Sequence, residues 1–231
     1  MKTRSITKTL LGVCTIFFMI ISTSTFAQPQ IPDIKGVEDV SINLACKLTL
    51  IQGEKAILGI TGDKEALADV QVKMIGKKLK IFNNKKNQEK RDVFITIALP
   101  DLEMLSIGGA VDIKTPNTVN YNNLTVEVSG VADFDLKLKS STFKLETSGV
   151  LSGTIKGETD NFNVEISGVG KLDATEFKSK NCKAEVSGVA RISVYAQDRL
   201  EAEVSGMGKI DYAGNPVIRA NSSGIGKINK L

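Results

Sequence analysis

Among its 231 residues the sequence contains no histidine and no tryptophan. Without histidine, Ser-His-Asp and Cys-His nucleophilic centres are excluded, and so are metal sites that use imidazole ligands. The absence of tryptophan removes the aromatic side chain best suited to stacking on sugar rings. Catalytic mechanisms that require histidine are therefore excluded for this chain.

Long hydrophobic runs are also scarce, and the one at the N-terminus has the pattern of an export signal. Three basic residues precede the apolar stretch at 10–21, and Thr25 and Ala27 stand at the −3 and −1 positions of a cleavage site. This arrangement predicts a secretory signal peptide over residues 1–27. We therefore expect an exported protein, located in the periplasm or at the cell surface or in the extracellular space.

The excess of positive charge is largely confined to that segment. The chain has 30 Lys and Arg against 26 Asp and Glu, and three of the basic residues precede residue 10 while no acidic residue does. The remainder is close to neutral, which argues against a nucleic-acid partner. No later apolar run is long enough to cross a membrane as a helix, so we expect no membrane span after cleavage.

Cysteine is rare, with three in the chain and Cys14 inside the N-terminal apolar run. Cys46 and Cys182 remain, both at apolar positions of alternating segments. Export would permit a disulfide between them. The alternation favours two buried free thiols instead.

A phrase of glutamate, apolar residue, serine, glycine and apolar residue recurs through the second half, as in AEVSGVARI at 184–192. Its glycines are 18 to 20 residues apart. They are Gly130, Gly149, Gly168, Gly188, Gly206 and Gly224. Apolar residues alternate before each glycine, which indicates a strand with one buried face. A second strand follows, and there we expect Val169, Val189 and Met207 to point inward.

One strand pair of this length cannot bury its apolar face alone, but stacked copies can. The sequence therefore predicts an all-β fold, a right-handed parallel β-helix (β-solenoid) with coils of about 19 residues. The six glycines are expected to be structural corners where the backbone needs positive φ. Polar segments such as KGETDN at 156–161 are expected to be turns.

The N-terminal part lacks the Ser-Gly repeat. Residues 28–37 are predicted to be a mobile leader, and 38–100 to be irregular strands continuous with the repeat coils of 101–231. Residues 63–69 suggest a helical turn, and 83–91 a hairpin loop. The expected organisation is thus a single solenoid domain over 38–231.

The stretch VFITIALPDLEMLSIGGAVDI at 93–113, followed by repeated Ser-Gly units, resembles the head GIN domain family (DUF2807), labelled putative auto-transporter adhesin. The closing coil at 212–228 and the strands around 48–63 are similar as well, so the resemblance covers roughly 38–231. It implies an exported β-helical protein of Bacteroidota envelopes and brings no demonstrated activity. The chain is too short to hold a membrane barrel beside the solenoid.

Three charged features are candidate sites. A basic segment could bind the phosphates or uronates of an envelope lipid or glycan, or could be a solvated loop. Its residues are Lys77, Lys78, Lys80, Lys85, Lys86, Lys90 and Arg91. A second basic row follows the corners, with carboxylates or polar residues two positions further on. The two sets could compensate one another on a solvated face, or the row could line a groove for an extended anionic chain. This row consists of Lys171, Arg191, Lys209 and Lys227.

The third feature is a row of glutamates that precede the corner serines and should stack one coil apart on the outside. They are Glu127, Glu146, Glu165, Glu185 and Glu203. Such a carboxylate ladder is a weak candidate for collecting Ca²⁺. Neighbouring cations, Lys144, Lys183 and Arg219, could instead offset the repulsion and leave a solvated row. No cofactor is predicted.

These features predict an exported cell-envelope β-solenoid acting as a non-catalytic binding, adhesin-like or scaffolding module. Its partner would be an envelope glycan, a lipid headgroup or a protein. Two alternatives stay open, a carbohydrate-active enzyme built like β-helical polysaccharide lyases and a structural coat module whose coil ends stack. Short coils without long insertions between 124 and 231 disfavour the enzyme.

Overall fold

Alternating apolar and polar residues fold this chain into strands that bury every second side chain. The computed structural model describes residues 29–84 and 92–231. The predicted signal peptide and Lys85, Lys86, Lys90 and Arg91 lie outside the described residues. The described chain is a β-solenoid of parallel coils of about 19 residues in about seven turns, as the repeat predicts.

The strands are β1 Asp39–Asn43, β2 Cys46–Gln52, β3 Ile57–Gly62, β4 Val70–Ile75, β5 Lys78–Asn83, β6 Val93–Leu99, β7 Met104–Ile107, β8 Ala110–Lys114, β9 Val119–Asn120, β10 Asn123–Val128, β11 Val131–Thr147, β12 Val150–Ile166, β13 Val169–Val186, β14 Val189–Val204, β15 Met207–Ala213, β16 Val217–Ser222 and β17 Ile225–Lys230. The helix α1 spans Lys64–Asp69, which confirms the predicted helical turn.

Two faces of stacked strands meet at the Ser-Gly corners. On the first face the order is β4, β5, β1, β7 and β10, then the second halves of β11 to β14, and last β16. On the second face it is β3, β6, β2 and β8, then the first halves of β11 to β14, and last β15 and β17. The coil of β1 and β2 is therefore inserted between two coils that come later in the chain.

The N-terminal end of the solenoid is closed by antiparallel strands. β3 pairs with β6, and β4 with β5, in antiparallel ladders, while α1 connects the two outer strands. Leu58 and Val70 of these strands are buried. Ile34 and Val37, placed by the sequence in a mobile leader, are also buried.

The hairpin expected at 83–91 is found elsewhere. β5 pairs with β1 and β4, whereas β6 pairs with β2 and β3, so the two strands that flank this segment lie on different faces. The antiparallel hairpin is formed by β4 and β5, where Gly76 has a φ of 61° in the connecting turn. Residues 85–91 of the expected loop lie outside the described residues.

The polar segments expected to be turns continue as strand in β11 to β14. These strands are 16 to 18 residues long and bend through most of a coil. Differences in coil length are absorbed by register shifts, between Thr154 and Gly157 in one pair and between Ala174 and Lys178 in the next. The expectation of turns was wrong because hydrogen bonds between coils hold polar segments extended even where their composition favours turns.

The core consists of in-register rows of inward side chains. Phe143 and Phe162 stack with ring centroids 5.6 Å apart, and Phe177 meets both of them edge-on at 5.8 and 5.2 Å. Such aromatic geometries add to the free energy gained by burying the rings. The predicted alternation is confirmed before Gly130, Gly168 and Gly206, but not in the last copy, where all of β16 is exposed. The buried alternating residues are Leu124, Val126, Val128, Phe162, Val164, Ile166, Leu200, Ala202 and Val204.

The apolar residues directly after the glycines do not belong to this core. Val169, Val189 and Met207 are stacked in register, but they are 54, 49 and 56% exposed. The inward positions begin one residue later, as the burial of Ala190 and Ile192 shows. Because side chains alternate strictly along a strand, the expected inward row is wrong by one position.

Candidate functional site

Glycine occupies the six corners for a reason other than the expected positive φ, because none of the six has a positive φ. At Gly188 a Cβ atom would lie 1.9 Å from the carbonyl oxygen of Gly168 in the preceding coil. That same oxygen accepts a hydrogen bond from the backbone N–H of Val189 at 2.9 Å. Glycine is therefore required by the close approach of stacked coils, so the corner assignment holds but its explanation changes.

This hydrogen bond recurs from coil to coil and fixes a line of exposed apolar side chains, which we call the apolar ladder. Its members are Val131, Val150, Val169, Val189, Met207 and Ile225. They are between 44 and 82% exposed and account for six of the 13 exposed large apolar side chains in the described residues. With strands about 4.8 Å apart, the ladder is about 24 Å long. The sequence pattern predicts this row in the core, so the exposed surface is visible only in the structure.

The predicted basic row runs beside the C-terminal half of the apolar ladder, two residues further along each strand. Lys171, Arg191, Lys209 and Lys227 are in register. Lys209 forms an ion pair of 2.6 Å with the buried Asp211. Asp173 instead accepts hydrogen bonds from the hydroxyl and backbone of Thr175, which lower the pKa of its carboxyl group.

Three cations of this row have no ion-pair partner among the described residues. Within 29–84 and 92–231, no carboxylate lies within ion-pair distance of Lys171, Arg191 or Lys227. In the described part of the chain, an ion pair is thus formed by Lys209 alone, while the charge of Lys171 helps to lower the pKa of the Asp173 carboxyl group. An apolar ladder flanked by unpaired cations suits an amphipathic partner with negative charge.

The glutamate ladder lies on the other side of the corners, and the structure places its five members in register. Lys144 pairs with Glu146, and Lys183 with Glu185, at 2.6 Å each. These contacts raise the pKa values of both lysines, chiefly through the hydrogen bond to the glutamate. Shallow grooves of about 270 and 210 Å³ lie over this surface.

The calcium hypothesis for this ladder gains no support from the geometry. In the part of the chain that the structure describes, no group of three or more Asp, Glu, Cys or His side chains is arranged to hold a metal ion. Neighbouring glutamates are stacked one coil apart along one strand face. The paired lysines correspond to the alternative of a solvated row.

The basic segment is divided by the structure. Lys78 and Lys80 lie on β5, and Lys77 in the turn before it forms an ion pair with Glu38 that raises the pKa of the lysine. Opposite Lys80 on the neighbouring strand is Lys73, whose ammonium lies 5.4 Å from the ring centroid of Phe82. Anion binding here stays a prediction, and four of its seven residues lie outside the described residues.

A third surface lies in the polar segments that the sequence predicts to be turns. It is a polar groove of about 510 Å³ along the bends of β11 to β14. Ion pairs of 2.6 Å join Lys139 to Glu158 and Lys180 to Asp160 across neighbouring coils. These charges are already matched within the chain, so the groove offers less free charge than the basic row.

Both remaining cysteines are free and buried, which agrees with the favoured prediction. Burial raises the pKa of each thiol to about 12. A thiol that stays protonated at neutral pH is a poor nucleophile. Neither residue therefore forms part of a reactive site.

The fold and its surfaces define the class, a β-solenoid with regular coils and exposed side-chain ladders. No helix within 29–84 or 92–231 has the length and apolar character needed to cross a membrane. The match to the family described as putative auto-transporter adhesin, head GIN domain, extends over residues 38–216. The chain therefore belongs to the head GIN domain family, as its resemblance indicated.

Solved structures share the fold. A putative adhesin from Bacteroides fragilis is 24% identical with a TM-score of 0.80, covering 89% of this chain and 100% of its own. A putative lipid binding protein from Parabacteroides distasonis is 19% identical with a TM-score of 0.63, and the match covers 85% of this chain and 93% of the other. A putative adhesin from Parabacteroides merdae is 17% identical with a TM-score of 0.62, over 87% and 94%. No curated protein matches the chain significantly.

Proposed function

We propose that this protein is an exported, non-catalytic binding module of the cell envelope whose contact surface is the apolar ladder with its flanking basic row. The observation that carries the proposal is the stack of six exposed apolar side chains. Scattered apolar residues are normal on protein surfaces, but a continuous line of them marks interaction sites. The family description as an adhesin supports a binding role over a catalytic one.

The ligand chemistry that this surface favours is an amphipathic partner with negative charge. The apolar ladder would contact acyl or other apolar groups, while Lys171, Arg191 and Lys227 would meet phosphates or carboxylates. An anionic lipid surface and an anionic envelope glycan both offer such charges. The lipid-binding description of one structural neighbour agrees with the first source.

Vesicle co-sedimentation tests the proposal directly. The purified protein should bind vesicles of phosphatidylglycerol and phosphatidylcholine at least tenfold more strongly than vesicles of phosphatidylcholine alone. A glycan array carrying uronate and phosphate sugars distinguishes a glycan source from a lipid source. Absence of binding in both experiments would refute the surface as a site for anionic ligands.

A matched pair of variants localises the contact. Replacing Val169, Val189 and Met207 together by serine should weaken binding tenfold or more. Replacing Ile57 and Ile75 by serine should not, although they are 59 and 58% exposed, because they lie on β3 and β4 at the N-terminal end. Equal loss in both variants would mean that the ladder is not the contact surface.

Export is tested separately. Mature protein should begin at Gln28 and be recovered from the periplasmic, surface or medium fraction. N-terminal sequencing that finds an intact Met1 in the cytoplasm would rule out an envelope role, whatever the vesicle result.

A further inference from the structure

The last coil of the solenoid is open. Among the described strands, β16 pairs with β14 alone and β17 with β15 alone. In a parallel ladder, alternate backbone N–H and C=O groups point to opposite sides, so half of those in β16 have no strand to bond to. This end therefore presents a template for one more strand.

The core rows end unfinished in β16. Ile218 continues the row of Leu200, which is fully buried, yet Ile218 is 39% exposed. The next two inward positions of β16 are exposed as well, as are all six of its residues. Val217 is 74% exposed on the outward side. An added strand with apolar residues at its inward positions would bury the end of the core.

The charge of this coil selects among possible occupants. Residues 213–231 contain Arg219, Lys227 and Lys230 and no acidic residue. Lys230 continues the row of Tyr212, which packs against the core, and donates a hydrogen bond of 2.7 Å to Asn215. Two such ends would bring six cations together, which disfavours pairing between C-terminal ends of two copies.

We propose that β16 accepts an extended acidic segment of another protein as an added β-strand. The segment would alternate apolar residues facing Ile218 with carboxylates facing Arg219. Main-chain hydrogen bonds would supply much of the affinity, and the charge would supply selectivity, as in other cases of strand addition. The edge of β16 and the apolar ladder share the last coil, which contains Ile225 and Lys227. The variants that test the two proposals are at different residues, so the proposals can fail independently.

Fluorescence anisotropy with a labelled nine-residue peptide of alternating valine and glutamate tests strand addition. The protein should bind this probe, and should bind an alternating valine-lysine peptide at least tenfold more weakly. The valine-glutamate peptide with N-methylated backbone should also lose tenfold or more, because it cannot donate its hydrogen bonds. Equal affinity for the methylated probe, or no binding at millimolar peptide, would overturn the proposal.

Two charge reversals of the same kind localise the site. Arg219→Glu should weaken binding at least tenfold. Lys144 lies in the same row as Arg219, four coils or about 19 Å away. Because this distance exceeds the screening length of charge in physiological salt, Lys144→Glu should leave the affinity unchanged. Hydrogen exchange should show new protection of residues 217–222 with bound peptide. Loss of affinity in both variants would indicate non-specific attraction and would overturn the proposal. A mass in sedimentation that doubles with increasing concentration would show that the edge pairs with a second copy, which would also overturn it.

Discussion

The N-terminal part of the solenoid and its Ser-Gly coils are built from the same stacked strands but depend on different contacts. The N-terminal part combines parallel coils with two antiparallel outer strands and a helix, and its coil of β1 and β2 lies out of chain order. The Ser-Gly coils repeat one parallel arrangement from β10 to β17. A uniform parallel repeat ends on a strand with an unpaired edge. The irregular N-terminal part covers the other end of the solenoid with its own antiparallel strands.

Replacing an inward apolar residue of the Ser-Gly coils by a charged one should have the largest effect on stability. Ile192→Asp would bury a carboxylate at a site with no exposure and should prevent folding. Val189→Asp, three residues away but 49% exposed, should cost no more than about 1 kcal/mol. Circular dichroism and thermal melting measure both. Failure of Val189→Asp to fold would restore the inward assignment of the apolar row.

A matched pair of glycines sharpens the comparison between the two parts. Gly188→Ala places its Cβ 1.9 Å from a backbone oxygen of the preceding coil and should destabilise the protein by about 3 kcal/mol. Gly59→Ala in β3 meets its nearest atoms at 3.9 Å and should be neutral or stabilise by up to about 1 kcal/mol. Chemical denaturation measures both values. Similar stabilities for the two variants would contradict close stacking at the corners.

Replacing the two buried thiols should have the smallest effect on stability. Because one thiol lies in each part of the solenoid, their reactivity compares the two parts. Cys46 lies in β2, at 8% exposure, and Cys182 in β13, at 3%. In Cys46→Ala and Cys182→Ala variants, the remaining thiol should react with Ellman's reagent only through local opening, and Cys182 should react more slowly. Faster reaction of Cys182 would show that the regular coils open more readily than the N-terminal part.

The same thiols predict a dependence of stability on alkaline pH. Their pKa values rise from 9.0 to about 12 on folding because burial disfavours the thiolate. The folded state therefore holds these two protons more tightly. The contribution of the thiols to the free energy of unfolding should be constant below about pH 9 and should fall between pH 9 and 12. Each alanine variant should fall less steeply than the unchanged protein over this interval. Identical slopes would mean that the thiols are not buried in solution.

Much of the architecture could be predicted because it follows from period and spacing. Glycines 18 to 20 residues apart with alternating apolar residues before them admit few folds other than stacked coils. The glutamate ladder and the basic row followed from the same alignment, and both are in register in the structure. The spacing does not predict whether each side chain after the corner points inward or outward. Val189 and Ile192 are both apolar, and only the strand register separates exposed from buried.

The sequence by itself determined the repeat, the coil length, the corner positions and the charge of each row, since all of these are local or periodic. Tertiary structure alone decided three things. It placed the β1–β2 coil between later coils, because strand pairing joins residues distant in sequence. It required glycine at the corners through a carbonyl of the neighbouring coil rather than through φ. It turned the residue after each glycine outward, because the hydrogen bond from its N–H to the preceding coil sets the alternation that follows.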